Sequence, residues 1–575
     1  MGTRSTPRHS ALLVILTLAV VPYFVGLGSS SLWDSNEAFY SETPREMIEG
    51  GDLINPSFNY RPRFNKPPLS YWIVVVSYKL FGVSESSERL PMALAAVVMI
   101  ATAFALARRA FSQRAGLMAA LALAASPRFL MFSRRIFIDV YLAMFLSLAL
   151  LFFLIGIGAE GDQPPKKRRG FLLLMYISIG LAVLTKGPVA LVLPALTLAV
   201  TLAVNRRFAL LRKMMLPAGA AIIALVVLPW YAAIYYEHGL EHIASFLFDD
   251  NLSRYAQTAW GPSRGLFFYV KVLMGDLFPW SLFLVVAILL PVLVRLRAVR
   301  DSEAGEHGIE PHQFARVTLL VWIAVIVVFF SFSKSKEDLY ILPVYPACAA
   351  LIGGVLSRET GAWLKWKVGL NTPVVWLAGL LIALAGAALL YLLSKSSADY
   401  RIAGADTAAT ISLAGGAIVV GAASLRRPFI SIAAAASAMI AINWLMTLQS
   451  LPDFERFKPV RSLCEIIKRN APPDSDVGYY RFPAPSMVFY LRRHVFELGD
   501  DNHDWRELNS LLASGRPVFC LIPEGVYEQT RASMRARTYV LASRPAFQVQ
   551  LKTILSGAEP PRILLISNRD GIEPN

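Results

Sequence analysis

Long apolar runs alternate with short polar gaps along most of this chain. The runs are close to the roughly 20 residues that an α-helix needs to cross a lipid bilayer. The pattern therefore predicts an α-helical polytopic membrane protein with about 13 transmembrane helices. These lie at about 11–28, 89–107, 115–132, 138–158, 171–185, 188–204, 214–233, 266–294, 316–332, 339–357, 371–394, 407–425 and 428–448.

Basic residues gather in alternate gaps between the apolar runs, for example at 108–114, 166–169 and 206–213. Positively charged loops stay on the cytoplasmic side of a membrane, so these gaps and the N-terminus are predicted to lie inside. The same parity places residues 29–88 and everything after about 449 outside.

The last part of the chain differs from the rest. It has mixed charge, turn residues and short strand-like segments at 516–522 and 562–566, with no run long enough to span a bilayer. We therefore predict two domains, a transmembrane domain over 1–448 with outer loops and a small soluble α/β domain over 449–575. Of the three cysteines, only Cys464 and Cys520 are predicted as a possible disulfide pair.

The composition supports the membrane assignment: 55% of residues are hydrophobic, 17% are charged, and the mean hydropathy is +0.50. A net charge of +16 would suggest nucleic acid as a partner in a soluble protein. Here the basic residues lie between the apolar runs, where they fix the orientation of the membrane helices. No nucleic-acid partner is therefore predicted. His238 and His242 are four residues apart, but no third ligand is evident and no metal site is assigned.

Two acids follow the first apolar run, and both are candidate catalytic residues. Asp34 and Glu37 are three residues apart, so they share one face if this outer loop is helical. One carboxylate would then hold an acceptor, and the other carboxylate would orient the one that holds it. The alternative is a solvated turn after a membrane helix.

Two outer-loop cations are candidate phosphate ligands. Lys66 follows Asn65 and precedes two prolines that stiffen the backbone beside its ammonium group. Arg254, three residues after Asn251, offers bidentate phosphate geometry. The alternatives are a loop lysine before an aromatic belt and a local ion pair with Asp250.

Four more polar residues lie at the outer ends of apolar runs. Asp139 begins the fourth run, either as a catalytic carboxylate or as a helix-start charge beside an arginine. Lys186 lies in a Gly-Pro hairpin, where a snorkelling lysine fits equally well. Lys336 and Tyr340 flank outer acids and indicate either surface ion pairs or a pocket for an anionic headgroup.

The order of these motifs resembles the GT-C polyprenyl-phosphate-sugar-dependent glycosyltransferases, in the superfamily of protein O-mannosyltransferases and lipid A aminoarabinose transferases. The matching segments are Trp33-Asp34-x-x-Glu37-x-x-Tyr40, Lys66-Pro67-Pro68-Leu69-x-x-Trp72, Arg135-x-x-x-Asp139, Thr185-Lys186-Gly187-Pro188, Pro229-Trp230-Tyr231, Asn251-x-x-Arg254-Tyr255, Pro279-Trp280-Ser281 and Lys336-x-x-x-Tyr340-Ile341-Leu342-Pro343.

The resemblance implies the GT-C fold and an inverting transfer of a sugar from an undecaprenyl-phosphate carrier. The acceptor would be a lipid A-like lipid or another envelope glycolipid or protein, at the periplasmic face of a bacterial inner membrane. No cofactor, nucleotide sugar or ATP is implied. Asp34 matches the first-loop catalytic acid, Lys66 and Arg254 the phosphate-binding positions, and Lys336 with Tyr340 the loop over the donor phosphate.

Two positions depart from the aminoarabinose transferases. An acidic residue usually precedes the Lys-Pro-Pro lysine and a histidine stands three residues before the arginine, where this chain has Asn65 and Asn251. The sugar and the acceptor therefore stay open. With a phosphate acceptor Asp34 would orient it, whereas with a hydroxyl acceptor Asp34 would act as general base.

A transporter or flippase for a lipid-linked sugar is the alternative function. It would also be polytopic and basic, but inverted repeats are not evident and its charges would lie near the midplane. A non-catalytic scaffold is a third reading, which leaves the Lys-Pro-Pro and acidic motifs unexplained.

Overall fold

The structure is a computed structural model and is mostly helical. It describes residues 7–34, 36–157, 165–248, 253, 255, 264–298, 311–357, 371–499, 501–547 and 559–570. The helices before the soluble domain are α1 (Pro7–Val20), α2 (Asn36–Glu49), α3 (Leu69–Phe81), α4 (Glu85–Ala110), α5 (Gln113–Ala124), α6 (Pro127–Ser133), α7 (Ile138–Ile157), α8 (Pro165–Lys186), α9 (Val189–Val204), α10 (Leu216–His238), α11 (Glu241–Leu247), α12 (Phe268–Asp276), α13 (Ser281–Ala298), α14 (Pro311–Ser331), α15 (Tyr345–Leu356), α16 (Asn371–Lys395), α17 (Ala405–Ser424) and α18 (Pro428–Leu445).

Each predicted apolar run coincides with a helical segment. Among the described residues, nine helices are long and apolar enough to cross a membrane, or ten if the bent pair α5 and α6 forms one span. The remaining three runs correspond to α1, to the 16-residue α9, and to α12 followed by α13. The multi-pass prediction is confirmed.

The break between α5 and α6 positions part of the site. The two helices meet at an angle of 68°, and Pro127 occupies the first turn of α6, where its missing N–H costs nothing. The bend turns the chain across the outer end of the bundle. As a result, Arg128, Arg134 and Arg135 lie at that end instead of continuing along a membrane helix.

Small residues let the membrane helices approach closely. α15 packs against α5, and a Cβ added at Gly353 would meet the backbone of Ala115 and would lie 2.7 Å from the Ala119 nitrogen. Lipid tails are as apolar as leucine, so helix association in a membrane depends on such close van der Waals contact.

The chain after α18 remains helical before the soluble domain begins. A π-helical turn at Met446–Ser450 and short turns as far as Phe457 follow α18. The predicted domain boundary at 449 falls inside this helical continuation and stays a prediction.

The soluble domain is an α/β unit with a five-stranded mixed sheet, as the sequence predicts. Its strands follow a two-stranded ribbon in the first outer loop, β1 (Ser57–Phe58) and β2 (Arg61–Pro62). They are β3 (Asp476–Tyr480), β4 (Phe496–Leu498), β5 (Val518–Pro523), β6 (Tyr539–Pro545) and β7 (Arg562–Ser567), with helices α19 (Pro459–Asn470), α20 (Ser486–Leu491), α21 (Asn502–Leu512) and α22 (Glu524–Thr530). The strand order is β4-β3-β5-β7-β6, with β3 parallel to β4 and β5, and β7 antiparallel to β5 and β6.

Both faces of this sheet are buried, so alternate residues of β5 enter different cores. Phe519 and Leu521 join the core that continues into the membrane helices, whereas Cys520 joins a separate core beneath α21 and α22. Cys464 of α19 belongs to the first core. The Cys464–Cys520 pairing, which the sequence left open, is not formed: both thiols are free, and the sheet lies between them.

The soluble domain rests on the first outer loop through a set of hydrogen bonds. Asn59 donates to the Val495 carbonyl at 2.8 Å and accepts from the Val495 N–H at 2.9 Å. The Tyr490 hydroxyl accepts from the Leu32 N–H at 2.8 Å. These contacts make the loop and the soluble domain one packed unit.

We expect Gly353→Ala to lower the melting temperature of the detergent-purified protein. The added methyl group would press on the α5 backbone, and overpacking of this kind typically costs about 1–3 kcal/mol. Gly421→Ala in α17 is the matched control, because its added Cβ would meet nothing within 4 Å. Equal melting temperatures for the two variants would contradict close packing of α15 on α5.

Candidate active site

Glu37 is held in a buried ion pair with Arg89 of α4. Its two carboxylate oxygens accept from the Arg89 Nε at 2.8 Å and Nη2 at 3.0 Å, and one of them also accepts from the Trp33 N–H at 2.8 Å. Burial would raise the pKa of Glu37, but Arg89 outweighs burial and holds the pKa below its usual range. Glu37 therefore stays ionised and fastens the loop to the bundle.

The Arg89 guanidinium uses every N–H that it has. Besides Glu37, its donors reach the carbonyl oxygens of Leu27 at 2.7 Å, Ser30 at 2.7 Å and Ser31 at 3.0 Å. A saturated arginine of this kind shapes the backbone between the first membrane helix and α2. Arg89 therefore has no donor left over, and the predicted catalytic role of Glu37 stays a prediction.

Asp34 faces the soluble domain. Its Oδ1 accepts from the Ser486 N–H at the start of α20, at 3.0 Å. Burial raises the pKa of Asp34 to about 6, although the Ser486 bond and the Lys458 charge oppose that rise. The carboxylate thus joins the loop to the soluble domain, and its predicted catalytic role stays a prediction.

Trp33 is flanked by two cations from different parts of the chain. The Arg135 guanidinium carbon lies 3.5 Å from its ring centroid, and the Lys458 Nζ lies 4.1 Å from it. Phe454 stacks on the same indole at 5.2 Å between centroids. Cation–π contact holds the Arg135 side chain in one orientation.

A cavity of about 230 Å³ opens next to these residues. It lies between α6, the start of α2 and the loop that follows α14. Its lining residues are Asn36, Arg128, Met131, Phe132, Arg135, Phe137, Glu337, Asp338 and Leu339. The first-loop side chain in this lining is the amide of Asn36, and the sequence analysis did not single out Asn36.

Three residues predicted separately meet beside this cavity. Asp139, in the first turn of α7, pairs with Lys186 in the last turn of α8. The Lys186 ammonium also lies 4.6 Å from the centre of the Tyr340 ring. The carboxylate is 8% exposed, so a mostly buried ion pair and an aromatic face stand together at the outer ends of two membrane helices.

Two arginines outside the predicted site hold the loop over the cavity. Arg128 contacts Asp338 at 3.0 Å and Asp276 at 3.4 Å. Arg264 donates to the Lys336 carbonyl at 2.8 Å and contacts Asp338 at 3.3 Å. Arg128 follows the Ser-Pro pair at the start of α6. That pair indicates a bend in the sequence, but it does not indicate that Arg128 pairs with an acid more than 200 residues away.

Lys336 and Tyr40 occupy less exposed places than their motifs suggest. The Lys336 ammonium donates to the Ser333 carbonyl at 2.5 Å within its own loop. Burial lowers the pKa of Lys336, and nearby Lys334 lowers it further. Tyr40 is buried and stacks on Tyr71 at 5.6 Å between centroids.

The Lys-Pro-Pro segment lies beside the outer end of α8. Phe64 and Leu69 pack with Leu184, two residues before Lys186. The Lys66 ammonium lies 5.7 Å from the Phe246 ring centre, and Asn65 is exposed. Lys66 and Lys186 thus belong to neighbouring parts of one outer surface.

Two predicted residues cannot be placed in this geometry. Asn251 and Arg254 lie outside the described residues. Tyr255, from the same motif, donates through its hydroxyl to the Phe329 carbonyl at 3.1 Å, which brings that part of the motif against α14.

Within the described part of the chain, one group of residues has the spacing of a metal site. It consists of Asp501, His503 and Asp504 at the start of α21, where two of the three are exposed. His238, by contrast, shares a hydrogen bond of 2.7 Å with Asn55. The predicted site for transfer chemistry contains no such ligand group among the residues described.

Comparisons with known proteins agree with this architecture. A family model described as dolichyl-phosphate-mannose-protein mannosyltransferase matches residues 65–232. An uncharacterized protein of Aquifex aeolicus (strain VF5) is 29% identical over 374 residues, which cover 65% of this chain and 68% of that protein. The undecaprenyl phosphate-alpha-4-amino-4-deoxy-L-arabinose arabinosyl transferase of Edwardsiella ictaluri (strain 93-146) is 28% identical over 383 residues, covering 66% of this chain and 64% of the relative. The chain thus spans about two thirds of the length of the curated relatives it matches.

The solved structure of ArnT from Cupriavidus metallidurans bound to undecaprenyl phosphate has the same fold. It matches with a TM-score of 0.76 at 23% identity, over 98% of this chain and 99% of that one. The helix bundle, the soluble α/β domain and the outer-face site define a membrane protein of the GT-C fold. Its sequence is similar to the dolichyl-phosphate-mannose-protein mannosyltransferase family model and to the curated aminoarabinose transferases.

We expect Glu37→Gln to destabilise the protein strongly. The substitution removes the closest counter-charge of the buried Arg89 and leaves Glu88, at 3.5 Å, as its remaining acid. Breaking a buried ion pair from one side typically costs about 3–5 kcal/mol. Glu49→Gln is the control, because Glu49 pairs with Arg45 at 2.7 Å but its side chain is 54% exposed and its loss should cost about 1 kcal/mol or less. Thermal unfolding in one detergent measures both, and similar losses would contradict the structural role of Glu37.

Asp34→Asn tests the pKa of that carboxyl through the pH dependence of stability. The folded pKa of about 6 lies above the unfolded value near 3.9, so wild-type stability falls as pH rises between these values. Asp34→Asn lacks this loss of stability. The melting temperature of the variant minus that of wild type should therefore increase from pH 4 to pH 7. Asp474→Asn, in an exposed turn of the soluble domain, is the control. Parallel pH profiles for wild type and Asp34→Asn would show that Asp34 titrates normally.

Proposed function

We propose that this protein is an inverting glycosyltransferase that moves a sugar from an undecaprenyl-phosphate donor to a lipid, lipid A-like or other envelope acceptor. The reaction would take place at the periplasmic face of a bacterial inner membrane. The observation that carries the proposal is the group of Asp139, Lys186 and Tyr340 beside a cavity at the outer ends of the membrane helices.

The relatives support the same activity class. Several curated relatives are named as undecaprenyl-phosphate aminoarabinose transferases, and the structure of similar fold contains undecaprenyl phosphate. These names favour a transferase over the alternative of a transporter or flippase. A transporter would place its charges near the midplane, whereas Asp139 and Lys186 lie at helix ends on one side.

The chemistry needs positive charge where the leaving phosphate develops negative charge. Lys186 and Lys66 present ammonium groups on neighbouring parts of the outer surface, and preorganised charge of this kind is usually the largest catalytic contribution. Asp139 orients the Lys186 ammonium group through their ion pair, and the Tyr340 ring lies over it. Lys336 supports the loop that carries Tyr340, and Arg254 remains our second candidate for the donor phosphate.

No resident cofactor enters this proposal, because the donor already carries its leaving group. The acceptor sets the role of the acids. A phosphate acceptor is nucleophilic as an anion and needs only orientation, whereas a hydroxyl acceptor requires a general base. Asp34 with its pKa of about 6 is suited to accept a proton near neutral pH, provided that the Ser486 contact opens when an acceptor binds.

The test is a transfer assay with the purified full-length protein in nanodiscs. Donors are undecaprenyl phosphate carrying either a pentose or a hexose, acceptors are phosphorylated lipid A and total envelope glycolipid, and mass spectrometry identifies the product. The double variant Asp139→Asn/Lys186→Met removes both members of the ion pair, so no unpaired charge stays buried. We expect transfer to fall by about 10²-fold or more, with little loss of thermal stability.

Lys468→Met, which removes an exposed lysine of α19, is the matched control and should transfer at the wild-type rate. Wild-type turnover by the double variant would remove Asp139 and Lys186 from the site. The transporter would be favoured if the wild type formed no glycosylated product and instead flipped the intact donor across the bilayer of reconstituted vesicles.

A further inference from the structure

Arg135 differs from every other arginine around the cavity. It lies between α6 and α7, its guanidinium stacks on Trp33, and it lines the 230 Å³ cavity. Across the described residues it donates no hydrogen bond and has no carboxylate within ion-pair distance. A guanidinium has five N–H donors, and none of those of Arg135 is used by the described residues.

Its neighbours show what satisfied arginines look like in this region. Arg89 has every donor occupied. Arg134 donates to three backbone carbonyls, at distances of 2.5 to 2.9 Å. Arg128 pairs with two carboxylates. Arg135 alone of these four brings hydrogen-bond donors to the cavity without using them on the protein.

The charge of Arg135 is also uncompensated. The Glu37 carboxylate is committed to Arg89. Of the acids in the cavity lining, Asp338 is shared by Arg128 and Arg264, and Glu337 lies 3.8 Å from Arg264. Burial lowers the pKa of Arg135 to about 10. The Glu37 charge opposes this shift, and the charges of Arg89 and Arg128 add to it. The group still carries its charge at neutral pH, in a place where an anion would stabilise it.

The cavity has the size and lining for such an anion. Its volume of about 230 Å³ is several times the roughly 30 Å³ that one water molecule occupies in the liquid. Asn36 lies in the lining with the apolar residues Met131, Phe132 and Phe137. The lining also contains the acids Glu337 and Asp338, which pair with Arg264 and Arg128. A planar guanidinium held against an indole presents two parallel N–H groups, which match the oxygens of a phosphate.

We propose that Arg135 is a substrate-binding residue that holds a phosphate group in this cavity, with the Asn36 amide beside it. The proposal rests on the proposed function and adds a second phosphate position to it, besides Lys66 and Lys186. The phosphate belongs either to the polyprenyl donor or to a phosphorylated glycolipid acceptor, and binding measurements separate the two.

The experiment measures binding to the full-length protein in nanodiscs with three probes. They are undecaprenyl phosphate, bis-phosphorylated lipid A, and the same lipid A after removal of its phosphates. Arg135→Gln should bind one of the two phosphate lipids at least tenfold more weakly, because a charge-assisted bidentate contact is lost. Affinity for the dephosphorylated lipid should not change. Arg531→Gln removes the same charge from an exposed turn of the soluble domain and should match wild type.

The outcomes are distinct. Weaker binding of undecaprenyl phosphate assigns Arg135 to the donor, and weaker binding of lipid A alone assigns it to the acceptor. Equal affinities of wild type and Arg135→Gln for both phosphate lipids would overturn the inference and leave the proposed function standing. Failure of the wild type to bind either phosphate lipid would overturn both.

Arg135→Lys covers the case in which Arg135→Gln unfolds. Lysine keeps the charge near Trp33 but lacks the two parallel donors. Weakened phosphate binding at wild-type thermal stability supports the proposal. Unchanged binding in Arg135→Lys would show that Arg135 acts only through its stack on Trp33.

Discussion

The buried ion pair between Glu37 and Arg89 is the contact on which the outer face of this protein depends. Arg89 lies near the start of a membrane helix, where an unpaired charge is costly. Its five hydrogen bonds fix the loop backbone from Leu27 to Ser31 and the first turn of α2. That anchoring places Asn36 at the cavity and Trp33 against Arg135, so this region is built outward from one salt bridge.

The soluble domain completes the outer face. It reaches the first loop through Asp34, Asn59 and Leu32, with partners that lie more than 400 residues away in the chain. Its core also continues into the core of the membrane helices. A soluble domain that shares its core with the bundle is not a loosely tethered unit, and its contacts hold the first outer loop in place.

Local and periodic features of the chain are enough to predict the framework. Lipid solvates a helix only if its side chains are apolar over about 20 residues, so the runs identify the spanning segments without tertiary information. The strand at 518–523 is equally visible, because short apolar runs bounded by turn residues are typical of buried strands. The outer location of Asp139, Lys186 and Tyr340 follows from counting spans, and the structure brings these three together.

Partner choice depends on the tertiary structure. The sequence by itself determined the membrane-spanning framework, the soluble α/β domain and which polar residues lie at one face. It did not determine that Glu37 pairs with Arg89, that Cys464 and Cys520 lie on opposite sides of a sheet, or that Asn36 lines the cavity while Asp34 faces Ser486. Periodicity records which face a residue occupies, whereas an ion pair or a cavity wall depends on the distance between residues remote in the chain. Only the packing of helices and sheet fixes those distances.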